Sequence, residues 1–111
     1  MDEATKSLAK LTAQVADEQE ARDSLRPRVT LADVTATQAA KKAANAQELL
    51  DAGVISRKRG DELLADRDAT QKALDAVKAQ AADADKTLDD AKAAALAAQT
   101  AIDKATSELQ Q

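Results

Sequence analysis

The sequence predicts an all-α fold, a long antiparallel coiled-coil hairpin of two helices, and three observations support this prediction. The 111 residues include 29 Ala and no Trp, Tyr or Phe, and Ala is the strongest helix former. Only two Gly and one Pro punctuate the chain, so its elements must be long. Apolar residues recur at alternating steps of four and three on both sides of one central turn signal, which is typical of paired helices. Without aromatic residues, a β-sandwich or barrel is disfavoured.

The first arm, residues 1–52, follows the seven-residue repeat from Ala4 to Leu50, and only Glu18 and Arg22 interrupt the apolar positions. Pro27 stands within this arm, and a proline inside a helix removes one hydrogen bond and clashes with the preceding turn. We therefore expect a kink or a short break at about residues 24–28. Because Leu25 and Val29 keep the same phase on either side of Pro27, the pattern favours the kink.

The tip, residues 53–56, carries the one concentrated turn signal. Gly53 can adopt the left-handed conformation that ends a helix, and Ser56 is a good cap for the helix that follows. Arms of similar length lie on either side, each on the order of 75 Å long if helical. A turn between two equal helical arms predicts an antiparallel hairpin.

The second arm, residues 57–111, repeats the pattern from Leu63, and every step from Leu74 onward is apolar. If Leu50 faces Leu63, Ala39 faces Leu74 and Val15 faces Ala98, so many layers pair a large side chain with a small one and allow close helix packing. Gly60 is expected to loosen the start of this arm. The larger members of the predicted seam are Leu11, Val15, Leu25, Val29, Leu50, Leu63, Leu74, Val77, Leu88, Ile102 and Leu109.

Composition also disfavours several kinds of function. The chain has no Cys and no His, so we expect no metal site of the usual kind, no cofactor and no His-based catalysis. A net charge of −4 without aromatic residues disfavours nucleic-acid binding. The longest apolar run, residues 93–98, is too short to insert into a membrane. The acidic N-terminus does not have the pattern of a signal peptide.

Charged and off-seam apolar residues are distributed unevenly. Lysines and arginines gather near the tip, and aspartates gather in the distal second arm; the residues concerned are Lys41, Lys42, Arg57, Lys58, Arg59, Asp83, Asp85, Asp89 and Asp90. A solvated helix surface accounts for the acidic run, whereas for the basic group partner binding is an equal alternative. Leu31 and Val34 lie off the seam, either as isolated surface residues or facing a partner.

The segment Leu49-Leu50-Asp51-Ala52-Gly53-Val54-Ile55-Ser56-Arg57 resembles the hairpin tip of bacterial membrane fusion proteins, the periplasmic adaptors of type I secretion systems and tripartite efflux pumps. Residues 64–76 also look like the second helix of that family. The resemblance implies a partner-binding tip formed by Asn45, Leu49, Gly53, Val54, Ile55, Ser56 and Arg57. Leu49 and Ser56 match two positions of the family's channel-contacting trio, and Asn45 stands where the family has Arg.

The resemblance implies that the hairpin spans the periplasm and docks tip-first on a TolC-like outer-membrane channel. Copies would associate side by side, and an inner-membrane transporter would be reached through further parts of an inner-membrane-anchored parent protein. Three alternatives stay open: a generic coiled-coil spacer or oligomerisation hairpin, a lipid-surface amphipathic helix protein, and an enzyme. The Ala-rich seam and the acidic distal arm argue against the lipid-surface protein, and a rod offers no cleft for an enzyme.

Overall fold

The computed structural model describes residues 2–110, and the helices in that range confirm the predicted all-α antiparallel hairpin. Helix α1 spans Asp2–Asp51 and helix α2 spans Arg57–Gln110. The described residues contain no strand. Helix α1 ends one residue before the predicted end of the first arm, and α2 begins where the second arm was predicted to begin.

The described residues form two compact units, each built from a segment of both helices. Unit 1 comprises residues 2–24 of α1 and 82–110 of α2, and unit 2 comprises residues 25–81, including the tip. Within each unit the α1 segment packs antiparallel to the α2 segment. The small cross-section of such a pair leaves room for few buried side chains.

The core of unit 2 consists mainly of alanines. Ala36, Ala39, Ala43 and Ala46 are buried on α1, and their spacing of three and four residues places them on one helix face. Leu63 and Leu74 are the buried leucines of α2 in this unit. Leu25, Val29, Leu50 and Val77 are half-buried. Methyl side chains on α1 and leucines on α2 therefore share the seam, as the spacing predicts.

The core of unit 1 centres on Leu88, which is fully buried, and on Ala91, one turn later on α2. Leu11, Val15 and Ile102 are half-buried at seam positions of the same unit. The seam loses cover toward the far end of α2.

Leu109 is the seam residue that departs from the prediction, because 75% of its surface is exposed. It lines an open groove together with Ala4 and Ile102. Ala4 is itself exposed, and its single methyl group is too small to cover a leucine. Leu109 thus lies beside the seam of unit 1 without being buried in it.

A polar layer interrupts the apolar seam of unit 1, as the sequence indicated. The Arg22 side chain is only 20% exposed, and its guanidinium lies 3.1 Å from the Asp23 carboxylate and 3.9 Å from that of Asp85 on α2. Buried Ala91 occupies the adjacent seam of α2. A small residue there lets the long arginine run along the interface while its charge reaches a carboxylate near solvent.

Helix α1 continues through Pro27 without a break. Side-chain hydroxyls bind main-chain carbonyls on both sides of the proline: Ser24 Oγ donates to the Ala21 carbonyl at 2.8 Å, and Thr30 Oγ1 to the Arg26 carbonyl at 3.2 Å. Such hydroxyl bonds are common where helices bend. The predicted break at about residues 24–28 is therefore absent, and the predicted kink at Pro27 stays a prediction.

Candidate docking tip

Helix α1 ends at the tip in a Schellman motif. The Gly53 N–H donates to the Leu50 carbonyl at 3.1 Å, and the Val54 N–H donates to the Leu49 carbonyl at 2.9 Å. This pair of bonds satisfies carbonyls that would otherwise be left unpaired at a helix end. Gly53 has φ +71°, a left-handed conformation that is unfavourable for residues with a side chain. The glycine thus has a structural role that is independent of any partner.

Helix α2 begins at once with Ser56 as its cap. Ser56 Oγ accepts a hydrogen bond from the Arg59 N–H at 3.1 Å, and the Ser56 carbonyl accepts the Gly60 N–H at 3.0 Å. These are the side-chain and main-chain bonds expected of an N-cap residue. Two back-to-back capping motifs therefore hold the backbone of the whole tip.

Gly60 on α2 lies in close contact with the Leu50 side chain of α1 near the tip. It is buried, and a Cβ built on it would lie 2.6 Å from Leu50 Cδ1 and 2.9 Å from Leu50 Cγ. The Leu50 side chain thus fills the space that a side chain at position 60 would need. The missing side chain at Gly60 lets Leu50 pack against α2, and the expectation that Gly60 loosens the start of the second arm stays a prediction.

The predicted partner-binding residues differ in exposure. Val54 is 67% exposed, whereas Leu49 and Ile55 are half-buried. Asn45 is exposed on α1, one turn before Leu49, and Arg57 is exposed in the first turn of α2. Among the residues from Leu49 to Arg57, Val54 is the large apolar residue that is exposed.

The charges beside the tip oppose the helix dipoles. The first turn of α2 contains Arg57, Lys58 and Arg59, all exposed, and no acidic residue. The last turn of α1 contains Glu48 and Asp51 and no basic residue. Each such placement costs a few tenths of a kcal/mol up to about 1 kcal/mol at an exposed position. The sequence analysis identified the cations near the tip but not that they lie at the positive end of a helix dipole. The position of the turn and the direction of each helix are enough to predict this.

One of these cations has a carboxylate partner within its own helix. Arg59 Nη1 lies 3.5 Å from Glu62 Oε2, one turn along α2, and both side chains are about half exposed. An exposed pair of this kind contributes little to stability. The surface therefore presents an exposed valine beside three cations on a backbone that is already ordered, and such a surface suits binding.

Comparison with known proteins gives no match to this chain among family models, curated proteins or solved structures. Neither helix, over residues 2–110, contains a stretch long and apolar enough to cross a bilayer.

Proposed function

We propose that the chain is the helical hairpin of a periplasmic adaptor and that its tip docks on a TolC-like outer-membrane channel, in a tripartite efflux or type I secretion system. In this proposal it is a structural and binding element and not an enzyme. It belongs to an inner-membrane-anchored parent protein, whose other parts reach the inner-membrane transporter. Copies associate side by side, without binding nucleic acid or inserting into the membrane.

The observation that carries the proposal is the ordered tip with Val54 exposed at 67%. Its backbone is fixed by the bonds from Gly53 and Val54 to α1 and by the Ser56 cap. A pre-ordered turn loses little conformational entropy when it binds. An isolated exposed valine alone would need no explanation, but here it lies beside three cations placed against the helix dipole. Local features that disfavour the fold are expected at functional sites.

The alternative is a structural spacer or oligomerisation hairpin from an unrelated protein. Gly53 ends α1 and Ser56 caps α2, so both residues have a structural role that needs no partner. This observation favours the spacer. Under this alternative the composition of the exposed tip surface would not matter, and this difference separates the two functions experimentally.

The test introduces a negative charge at the tip without disturbing the fold. Val54→Asp changes an exposed side chain, and Ser56→Asp keeps a residue type that caps helices well. The binding of each variant to a purified TolC-like channel in nanodiscs, and transport by the full-length parent, are compared with those of the unmodified chain. We expect channel affinity to fall at least about tenfold, which is 1.4 kcal/mol, and transport to fall with it.

The matched control is Leu109→Asp, which places the same charge on an equally exposed apolar residue of unit 1. It should leave channel affinity and transport unchanged. Unchanged binding and transport in the Val54 and Ser56 variants would refute tip docking and favour the spacer.

A further inference from the structure

Helix α1 contains one stretch rich in poor helix formers, residues 27–35, here called the hinge segment. Four of its nine residues are β-branched, against four of the other 41 residues of α1. The four in the hinge segment are Val29, Thr30, Val34 and Thr35. β-branched side chains lose rotamer freedom in a helix, which makes the helix less stable. Together with Pro27, they give the hinge segment the weakest intrinsic preference for helix in α1.

Two local features weaken the helical hydrogen bonds of the hinge segment. Pro27 has no N–H to donate, and its ring crowds the preceding turn. Thr30 Oγ1 donates to the Arg26 carbonyl at 3.2 Å. Thr35 Oγ1 donates in the same way to the Leu31 carbonyl at 2.9 Å. Hydroxyl bonds of this kind compete for the carbonyls that hold the helix together and slightly destabilise it.

Packing against α2 does not compensate for this weakness. No residue of the hinge segment is buried, and only Val29 and Ala32 are half-buried. A groove of about 260 Å³, lined by Ala73 and Val77 of α2, opens beside Leu31. Leu31 itself is 69% exposed. Opening the hinge segment would therefore break few contacts with α2.

The stretches of α1 on either side of the hinge segment are held more firmly. Toward the tip, residues 36–46 contribute the four buried alanines of the unit 2 core. Toward the N-terminus, residues 8–22 contain six half-buried side chains and no proline or glycine. In unit 1, Arg22 also reaches Asp85 of α2 at 3.9 Å. The weak stretch thus lies between two stretches that packing and helix propensity stabilise.

We infer that the hinge segment opens locally while the rest of α1 stays helical, so that α1 has a built-in point at which it bends. Segments with few buried contacts open at a lower free energy than the protein as a whole. A short segment that absorbs changes in backbone angles acts as a hinge for the elements on either side. The turn at the tip is held by its own capping bonds and does not take part. The inference does not depend on tip docking or on any partner.

Hydrogen–deuterium exchange of the whole chain, followed by mass spectrometry of short peptides, tests the inference. After correction for intrinsic rates, we expect the amides of residues 28–35 to exchange at least about tenfold faster than those of residues 36–46 and 12–22. Pro27→Ala restores the missing donor and should slow exchange in residues 28–35 at least about tenfold. Exchange that quickens steadily from residues 36–46 toward the N-terminus would show fraying of the helix end, and equal exchange in all three stretches would show global unfolding alone. Either result would overturn the inference.

A matched pair of variants separates local opening from a general change in stability. Thr35 inside the hinge segment and Thr12 outside it are both exposed, and each hydroxyl donates to the carbonyl four residues earlier at 2.9 Å. Replacing either threonine with alanine raises helix propensity by a similar amount. Thr35→Ala should slow exchange of residues 28–35 about threefold, whereas Thr12→Ala should leave it unchanged. Equal slowing by both variants would contradict local opening.

Discussion

Replacing Gly60 with Ala should destabilise the hairpin, although Ala is the better helix former. In an exposed helix the change stabilises by about 1 kcal/mol. Here the new Cβ would lie 2.6, 2.9 and 3.1 Å from three carbon atoms of Leu50, well inside the 3.5–4.0 Å that carbon atoms prefer. Because Cγ is among them, turning the terminal methyl groups does not relieve the overlap. The whole side chain, or one helix, must shift.

The expected change in the free energy of unfolding is the difference between two opposing contributions. Overpacking costs about 1–3 kcal/mol, and the gain in helix propensity offsets about 1 kcal/mol of it. We therefore expect Gly60→Ala to lower the free energy of unfolding by about 1 kcal/mol. Urea denaturation followed by circular dichroism at 222 nm measures this directly, since the chain has no tryptophan to report unfolding by fluorescence.

The matched control is the same substitution in a Leu50→Ala background. Without the Leu50 side chain the clash is gone, so Gly60→Ala should then stabilise by about 1 kcal/mol. The double-mutant cycle should give a coupling energy of about 2 kcal/mol between positions 50 and 60. If Gly60→Ala stabilises equally in both backgrounds, the close approach of Leu50 to Gly60 is refuted.

Three further predictions concern the free energy of unfolding, measured in the same way. Ser56→Ala should lower it by about 1 kcal/mol through loss of the cap, whereas Ser56→Asp should change it by less than about half of that; equal effects would contradict the capping role. Gly53→Ala should lower it by about 1 kcal/mol because of the positive φ alone, since a Cβ there meets open space; a stabilising effect would contradict the left-handed turn. Leu88→Ala should lower it by about 2–4 kcal/mol, and Leu109→Ala by less than about 0.5 kcal/mol; similar losses would contradict the assigned burial of these two leucines.

The sequence was sufficient to locate the helices, the turn and the face of each helix that is buried. Ala36, Ala39 and Leu74 could be placed in the seam because periodicity depends only on helix geometry. Gly53 and Ser56 could be assigned to the turn because few residue types favour those two conformations. These features are local, or repeat with a fixed period, so one chain contains the information needed.

The features that sequence reasoning missed depend on how side chains meet across the helices. The packing of Leu50 against Gly60 depends on the distance between the helices, which periodicity does not fix. Leu109 continues the heptad pattern but is exposed, because cover depends on the size of the residue opposite. At the tip, sequence could identify Val54 and Arg57, but their exposure follows from the Schellman motif and the Ser56 cap together.

Site-specific photo-crosslinking shows directly whether the tip is the end of the hairpin that binds the channel. A photoreactive amino acid is placed singly at Val54, Leu31 or Leu109, which are exposed to a similar degree. The chain is then irradiated with a purified TolC-like channel. Tip docking predicts a crosslink to the channel from position 54 and none from position 31 or position 109. A channel crosslink from position 109 but not from position 54 would contradict it.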